Sequence, residues 1–413
     1  MSLDRLTHYV SLDGAGGVEQ QFVEFVRAAR VQRRTDHTVV ACGRQVHPLI
    51  RERLTEARAP VTFEKYAGAF KLPKWPATLR RHHQQRLLAR QRPDAVVVWN
   101  RLRDSLDTIA AAGVERTVYW ERGASWFAGD SPAKRRFLDE VQAVICNSHA
   151  ARRMLELRWN YRGQTRVVLN ALRPSLLPHA PVPVRQLPDD RPVTLGMVAR
   201  LLPIKGVAIA IQALARLRRD GVETCLRIAG DGPEMDRLQR LAHGLGVAEY
   251  VIFEGLVADM PGFYAGIDLL VHPALREPFG QIAIEAGAYG VPSVVAAVDG
   301  LVEVIDDGVT GACIAPTVPL EDYLELGGST TDLPPFVYDP ERDVIDTPRL
   351  VDPARLARVV CAIIEAPGRY AAMSAAGIAA VQQRFVFDAH VRDALASIEA
   401  FVNTGRLNGE PAA

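Results

Sequence analysis

The sequence predicts an α/β protein built from two doubly wound, Rossmann-like domains with parallel sheets. Three observations predict it. The chain has 413 residues, too many for one ordinary core and suited to two domains of roughly 200. Short runs rich in Val, Ile and Leu alternate with helical patterns in both halves, as parallel strands covered on both faces require. Between Arg173 and Thr194 fall six prolines, Pro174, Pro178, Pro181, Pro183, Pro188 and Pro192, a run that stays extended and cannot be a helix or a central strand.

In chain order, the first half offers strands at Leu6–Leu12, His37–Gly43, Asp94–Asn100, Arg116–Trp120 and Ala143–Ser148. The second half offers them at Val193–Arg200, Glu223–Gly230, Tyr250–Leu256, Asp268–Ala274, Pro292–Ala297 and Gly311–Pro316. The domain plan is therefore 1–180, a Pro-rich linker at 181–192, a second domain at 193–375 and closing helices at 376–413. Phe387, Val391, Leu395 and Ile398 recur at helical spacing in the last of these, which marks a packed face. Two stretches break the alternation. Lys65 to Arg92 carries eight Lys or Arg, two His and no acid, with Tyr66, Phe70 and Trp75 among them. Thr317 to Leu350 carries eight acids and two arginines, lacks periodicity, and reads as a long surface insertion.

Composition narrows the function. Hydrophobic residues make up 48% and charged residues 23%, a globular balance. With 49 basic and 48 acidic side chains, net charge gives no reason to expect a nucleic-acid partner. The five cysteines form no Cys-x-x-Cys pair, so reduced core thiols of a cytoplasmic protein are expected. The first residues lack a signal-peptide pattern, and no apolar run approaches the roughly 18 residues of a membrane span. Oligomeric state is left open.

The strongest motif is Glu277-Pro-Phe-Gly-Gln-Ile-Ala-Ile-Glu285, which leaves a buried strand and opens a helix. Phe279, Gly280 and Gln281 then offer backbone N–H groups at a helix start, where phosphate binds. Glu277 precedes that helix and Glu285 lies about one turn inside it. On spacing alone the same residues also fit an ordinary strand–turn–helix with solvated glutamates. Arg200 and Lys205 lie on another strand–helix loop, spaced to straddle a diphosphate or to stand as a solvated pair. Gly230-Asp-Gly-Pro233 is a third such turn, read as structural. In the first half, Asp13-Gly-Ala-Gly16-Gly17-Val-Glu19 joins strand to helix without forming a dinucleotide fingerprint. No Asp-x-Asp triplet is present to hold a divalent ion, and neither a metal nor another cofactor is expected.

In combination these motifs resemble the donor domain of the large GT-B family of retaining glycosyltransferases, group 1 or family-4-like. That family includes sucrose synthases and bacterial mannosyl- and glucosyltransferases. The resemblance runs from about Val193 to Pro316 and takes in Gly287-Ala-Tyr-Gly-Val-Pro292 and Gly308-Val-Thr-Gly311. It implies two domains facing across a cleft, with the last helix crossing back to the first domain. Arg200 and Lys205 would neutralise the donor diphosphate, and amides at Phe279, Gly280 and Gln281 would bind the distal phosphate. Glu277 would hydrogen-bond the transferred sugar and Glu285 the ribose, while Gly16 and Gly17 would lie over the phosphate. Val302 stands where the family has proline, which leaves Glu303 unassigned. The histidine that family members often carry after the Arg116–Trp120 strand is absent, so Glu121 or Arg122 takes its place. Ser148 and Asn170 match landmarks near the cleft or serve as local caps.

The implied activity is a metal-independent transfer, with retention, from a nucleotide-diphosphate sugar to a saccharide or lipid-linked glycan. Cell-surface polysaccharide or lipopolysaccharide biosynthesis is the expected setting. Lys65 to Arg92 is either a contact for an anionic membrane surface or a solvated helix face. A sugar-phosphate synthase or phosphorylase-like enzyme on this fold, or a nucleotide-sugar-binding regulatory subunit, are the alternatives. The donor base, the sugar and the acceptor are not legible.

Overall fold

The computed structural model describes residues 2–73, 77–102, 106–127, 129 and 131–408. It divides into two compact units, Met1–Arg173 with Phe387–Ala413, and Pro174–Val386. Each carries one parallel sheet. The boundary lies at Arg173, earlier than the expected 180, and the Pro-rich stretch belongs wholly to the second unit. The closing helices also divide: Pro367–Arg384 is in the second unit and Phe387–Thr404 in the first.

The first unit's sheet contains β1 (Arg5–Val10), β2 (Asp36–Ala41), β3 (Val61–Phe63), β4 (Ala95–Trp99), β5 (Thr117–Glu121), β6 (Ala143–Cys146) and β7 (Gln164–Val167). Their order is β3-β2-β1-β4-β5-β6-β7. Central strands β4 and β5 are buried along their whole length, which is why their sequences run apolar without alternation. Edge strands β3 and β7 are only partly buried throughout and carry no such run. Phe22, Phe25 and Val26 of the Gly17–Arg33 helix join one core with Val391, Leu395, Ile398 and Phe401 of the last helix. Four such side chains contribute about 1.5–3 kcal/mol each, enough to fix the returning helix on this unit.

Inside that core His8 and His37 stack, with Nε2 of His8 2.8 Å from Nδ1 of His37. Trp99 donates its indole N–H to His8 Nδ1 at 3.1 Å. His8 therefore carries its proton on Nε2 and donates it to His37. Burial keeps both rings neutral, with His37 lowered to about 3.

The second unit's sheet holds β8 (Val193–Val198), β9 (Thr224–Ala229), β10 (Val251–Gly255), β11 (Leu269–His272), β12 (Ser293–Ala296) and β13 (Gly311–Ile314), ordered β10-β9-β8-β11-β12-β13. The chain builds outward from β8 to β10, then returns to β8's other side with β11. The switch point thus lies between the carboxyl ends of β8 and β11, where open α/β sheets hold ligands.

Thr317 to Leu350 is not the loose excursion its composition suggests. Val318 and Leu350 pair as a bridge at its base. Val337–Asp339 and Val344–Asp346 form an antiparallel hairpin, and Tyr323 and Leu350 are buried. Five of its eight acids are exposed and three are partly buried, while a few apolar residues too sparse to show a period anchor it.

Candidate active site

The β8 and β11 loops meet at the switch point. Lys205 Nζ donates to Glu277 Oε2 at 2.7 Å, and His272 Nε2 lies 3.2 Å from the same oxygen. Burial alone would raise the Glu277 carboxyl, but the Lys205 ammonium and the His272 hydrogen bond outweigh it and hold the group well below the usual carboxylate range. Burial lowers His272 despite Glu277 beside it, so the neutral ring donates its Nε2–H. Glu277 is thereby a fixed, ionised acceptor. His272 ends β11 and carries no motif of its own; its only sequence signal is being the last residue of the strand before the Glu277 turn.

Backbone contacts set this geometry. The Leu275 amide donates to Ile204 O at 2.9 Å and ties the two loops together. Gly206 has φ +69°, and a Cβ there would stand 2.1 Å from Pro273 O, so only glycine lets the loops close. The Gly230–Pro233 turn supports the Arg200 loop, with Leu201 N donating to Asp231 O at 2.9 Å. A Cβ on Gly230 would strike Ala199 O at 1.8 Å. Arg200 itself is exposed, and its guanidinium has no partner among the described residues.

The Gln281–Ala288 helix starts beside Glu277. Gly280 is its N-cap at φ +108° and supplies no side-chain cap. Phe279 is buried, edge-on to Phe385, and anchors the turn. The first-turn amides thus point from a fixed backbone and attract anions. Glu285 is buried and accepts from Tyr264 Oη at 2.8 Å, so a ribose would have to share it with Tyr264.

The insertion reaches this site twice. Tyr323 donates its hydroxyl to Pro203 O at 2.7 Å. Asp299, fully buried at φ +49°, accepts from Glu277 N at 2.9 Å and from Tyr338 N at 2.7 Å. The insertion therefore braces both loops, the Lys205 loop through Tyr323 and the Glu277 loop through Tyr338 of the hairpin. Glu303 lies in the short Leu301–Val304 helix, partly buried.

In the first unit, Gly16 and Gly17 open a 17-residue helix whose N-terminus has no side-chain cap. A Cβ at Gly17 would meet nothing within 4 Å, so internal packing does not demand that glycine. Glu121 corrects the expectation that it takes the place of the absent histidine. It is fully buried and accepts from Tyr119 Oη, Gly123 N, Ser125 N and Ser125 Oγ at 2.7–3.1 Å. Those bonds use it to shape the 121–126 turn. Arg122 faces differently: one Nη2–H goes to Asn170 Oδ1 at 2.7 Å. Ser148 caps the His149–Trp159 helix through Ala151 N.

Lys65 pairs with Glu64 at 3.8 Å and Arg80 turns onto Leu72 O. Lys71, Arg81, Arg86, Arg90 and Arg92 are exposed, as is Phe70. Lys74 and Trp75 lie outside the described residues. No helix among the described residues is long and apolar enough to cross a membrane.

This architecture has known counterparts. A glycosyltransferase from Rickettsia africae superposes with TM-score 0.74 at 15% identity, covering 97% of this chain and 99% of that one. Anabaena HepE, solved with UDP, superposes with TM-score 0.72 at 20% identity over 96% and 100%. The fold is that of the GT-B glycosyltransferases. Residues 183–325 match the family model for glycosyl transferases group 1. The lipopolysaccharide core biosynthesis glycosyltransferase LpsE of Rhizobium meliloti is 27% identical over 75% of this chain and 84% of its own. A GDP-mannose-dependent alpha-(1-6)-phosphatidylinositol monomannoside mannosyltransferase of Mycolicibacterium smegmatis is 36% identical over 37% of this chain. That match spans only 40% of the mycolicibacterial protein.

Proposed function

We propose that the protein transfers a sugar, with retention, from a nucleotide-diphosphate donor to a saccharide or lipid-linked glycan, and that the β8–β11 switch point is the donor site. The observation that carries this reading is the Lys205–Glu277–His272 cluster, at 2.7 and 3.2 Å, beside an uncapped helix start. The leaving nucleoside diphosphate gains negative charge as the glycosidic bond breaks. Lys205, the free guanidinium of Arg200 and the amides at Phe279, Gly280 and Gln281 are preorganised to stabilise it. Glu277 is ionised and immobile, suited to accept hydroxyl protons of the transferred sugar while Lys205 turns to the phosphate. Glu285 serves the ribose. With cations and amides in place, the chemistry calls for no metal. LpsE and the mannosyltransferase favour a role in making lipopolysaccharide or a lipid-linked glycan, carried out on the cytoplasmic side. The exposed cations on 71–92 would then rest on an anionic membrane surface.

Thermal unfolding with UDP-, GDP- and ADP-sugars tests the donor site, since a ligand at 100 times its Kd stabilises by about 2.7 kcal/mol. One nucleotide class should raise the midpoint and be consumed when acceptor glycan is added. Equal inertness of all three would remove the proposal.

A further inference from the structure

Arg122 is a buried cation with no counter-charge among the described residues. It follows β5, is 6% exposed, and makes one side-chain hydrogen bond, to Asn170. Among the described residues its Nε and Nη1 have no partner, and no carboxylate forms an ion pair with it. Neighbouring Glu121 is fully engaged with its own turn. The guanidinium lies 5.3 Å from the Trp99 ring and 5.5 Å from the Trp120 ring. Cation–π attraction of this kind, with one neutral hydrogen bond, falls short of the cost of taking a guanidinium out of water. Burial pulls its pKa down to about 9, so it stays charged at neutral pH.

The surroundings hold it there deliberately. Asn100 Oδ1 accepts from Arg122 N at 3.1 Å and Ala124 N at 2.8 Å. Gln21 Nε2 donates to Ala171 O at 3.0 Å, next to Asn170. The β4 and β5 loops and the Gly17–Arg33 helix thus converge on one rigid arginine at the carboxyl end of the sheet. Nη2 spends one of its two N–H groups on Asn170, and its other N–H forms a planar fork with Nε or with Nη1 that matches a two-oxygen anion.

We infer that Arg122 is the receptor for an oxyanion, a phosphate or carboxylate group of a substrate, bound by the first unit. The binding itself follows from the first unit's geometry; only its place in catalysis rests on the proposed function. The source is an anionic group on the acceptor.

The test uses the full chain carrying Arg200→Ala and Lys205→Ala, which removes the two cations assigned to the donor diphosphate, with inorganic phosphate as probe. Trp99 and Trp120 lie under the guanidinium, so tryptophan emission should change saturably with phosphate and not with chloride at equal ionic strength. Adding Arg122→Met should weaken that response at least tenfold, and Arg122→Lys should restore part of it. The Arg122→Met chain should unfold at the same temperature or higher, because an uncompensated buried charge has been removed. An unchanged phosphate response in Arg122→Met, or none with Arg122 intact, overturns the inference. So does a collapse of Arg122→Met that Lys does not rescue, which would make the arginine a part of the core. With the native chain and saturating UDP, the phosphate response should persist, and its disappearance would overturn the assignment to the acceptor. Failure of all nucleotide-sugars to bind would end the donor-site reading while leaving the phosphate response at Arg122 intact.

Discussion

Asp299→Asn should loosen the Glu277 loop without touching a group that meets the donor. Asp299 is fully buried and its two oxygens take the amides of Glu277 and Tyr338 at 2.9 and 2.7 Å. Asparagine tolerates the left-handed backbone, so strain does not enter. It offers one oxygen, and its NH2 faces the other amide, donor against donor. A buried amide left unsatisfied costs about 1–3 kcal/mol, and a bond to a charged acceptor is worth about 1.5–3. Losing one such bond and orphaning one amide gives about 3 kcal/mol. For a unit of this size that lowers the midpoint by roughly 6–12 °C. Scanning calorimetry measures it, and the second unit's transition should move while the first unit's stays. Transfer kinetics should show kcat falling more than KM rises, since the donor's contacts survive while their alignment does not. A midpoint within about 1 °C of the parent would refute the idea that the hairpin braces the site through Asp299.

Three further outcomes are expected. Burial keeps His8, His37 and His390 neutral in the folded first unit, with the last two lowered to about 3. The unfolded chain takes up protons below about pH 6.5, so stability falls with pH by about 1.4 kcal/mol per unit for each imidazole. Urea denaturation at pH 7.5 and 5.5 should then differ by about 4 kcal/mol, and a flat profile would contradict the buried neutral assignment. Co-sedimentation with anionic vesicles should weaken steeply with salt and disappear when Lys71, Arg81, Arg86 and Arg90 are neutralised together, because each cation adds about 1 kcal/mol near such a surface; equal binding to neutral vesicles would point to a different contact. Transfer should survive EDTA, and full loss restored by Mg²⁺ or Mn²⁺ would show that the leaving group depends on a metal.

Much of this molecule is legible in its sequence because burial on both faces leaves an unambiguous mark. All six strands of the second unit's parallel sheet stand out as Val-, Ile- and Leu-rich runs. In the first unit the five inner strands do so, but Val61–Phe63 and Gln164–Val167 do not, since a half-exposed edge needs no apolar run. Glu277, Lys205 and Gly280 are visible because turn glycines and charges cluster at strand ends. His272 is not, because a histidine inside an apolar strand looks like core. Glu121 misleads for a related reason: a carboxylate satisfied by four neighbouring donors is indistinguishable in sequence from one facing solvent. The brace from Tyr323 and Tyr338 depends on long-range pairing to Pro203 and Asp299, which no local pattern records. The chain's division at Arg173 is likewise a matter of packing, since extended prolines can lie along a domain as readily as between two.

The central claim is that Lys205 and Arg200 hold the charge that develops on the departing nucleoside diphosphate. The most direct measurement is nucleoside-diphosphate release with the stabilising donor and an acceptor glycan, for the parent, Lys205→Ala and Arg200→Ala. Loss of one preorganised stabiliser costs about 2–4 kcal/mol of barrier, or roughly 30- to 1,000-fold in rate. Each variant should fall by that much; Arg200→Ala should unfold at nearly the parent's temperature because Arg200 is exposed, and Lys205→Ala should unfold lower because it takes the ammonium from the partly buried Glu277 carboxylate. Near-parental release in both variants would contradict the account.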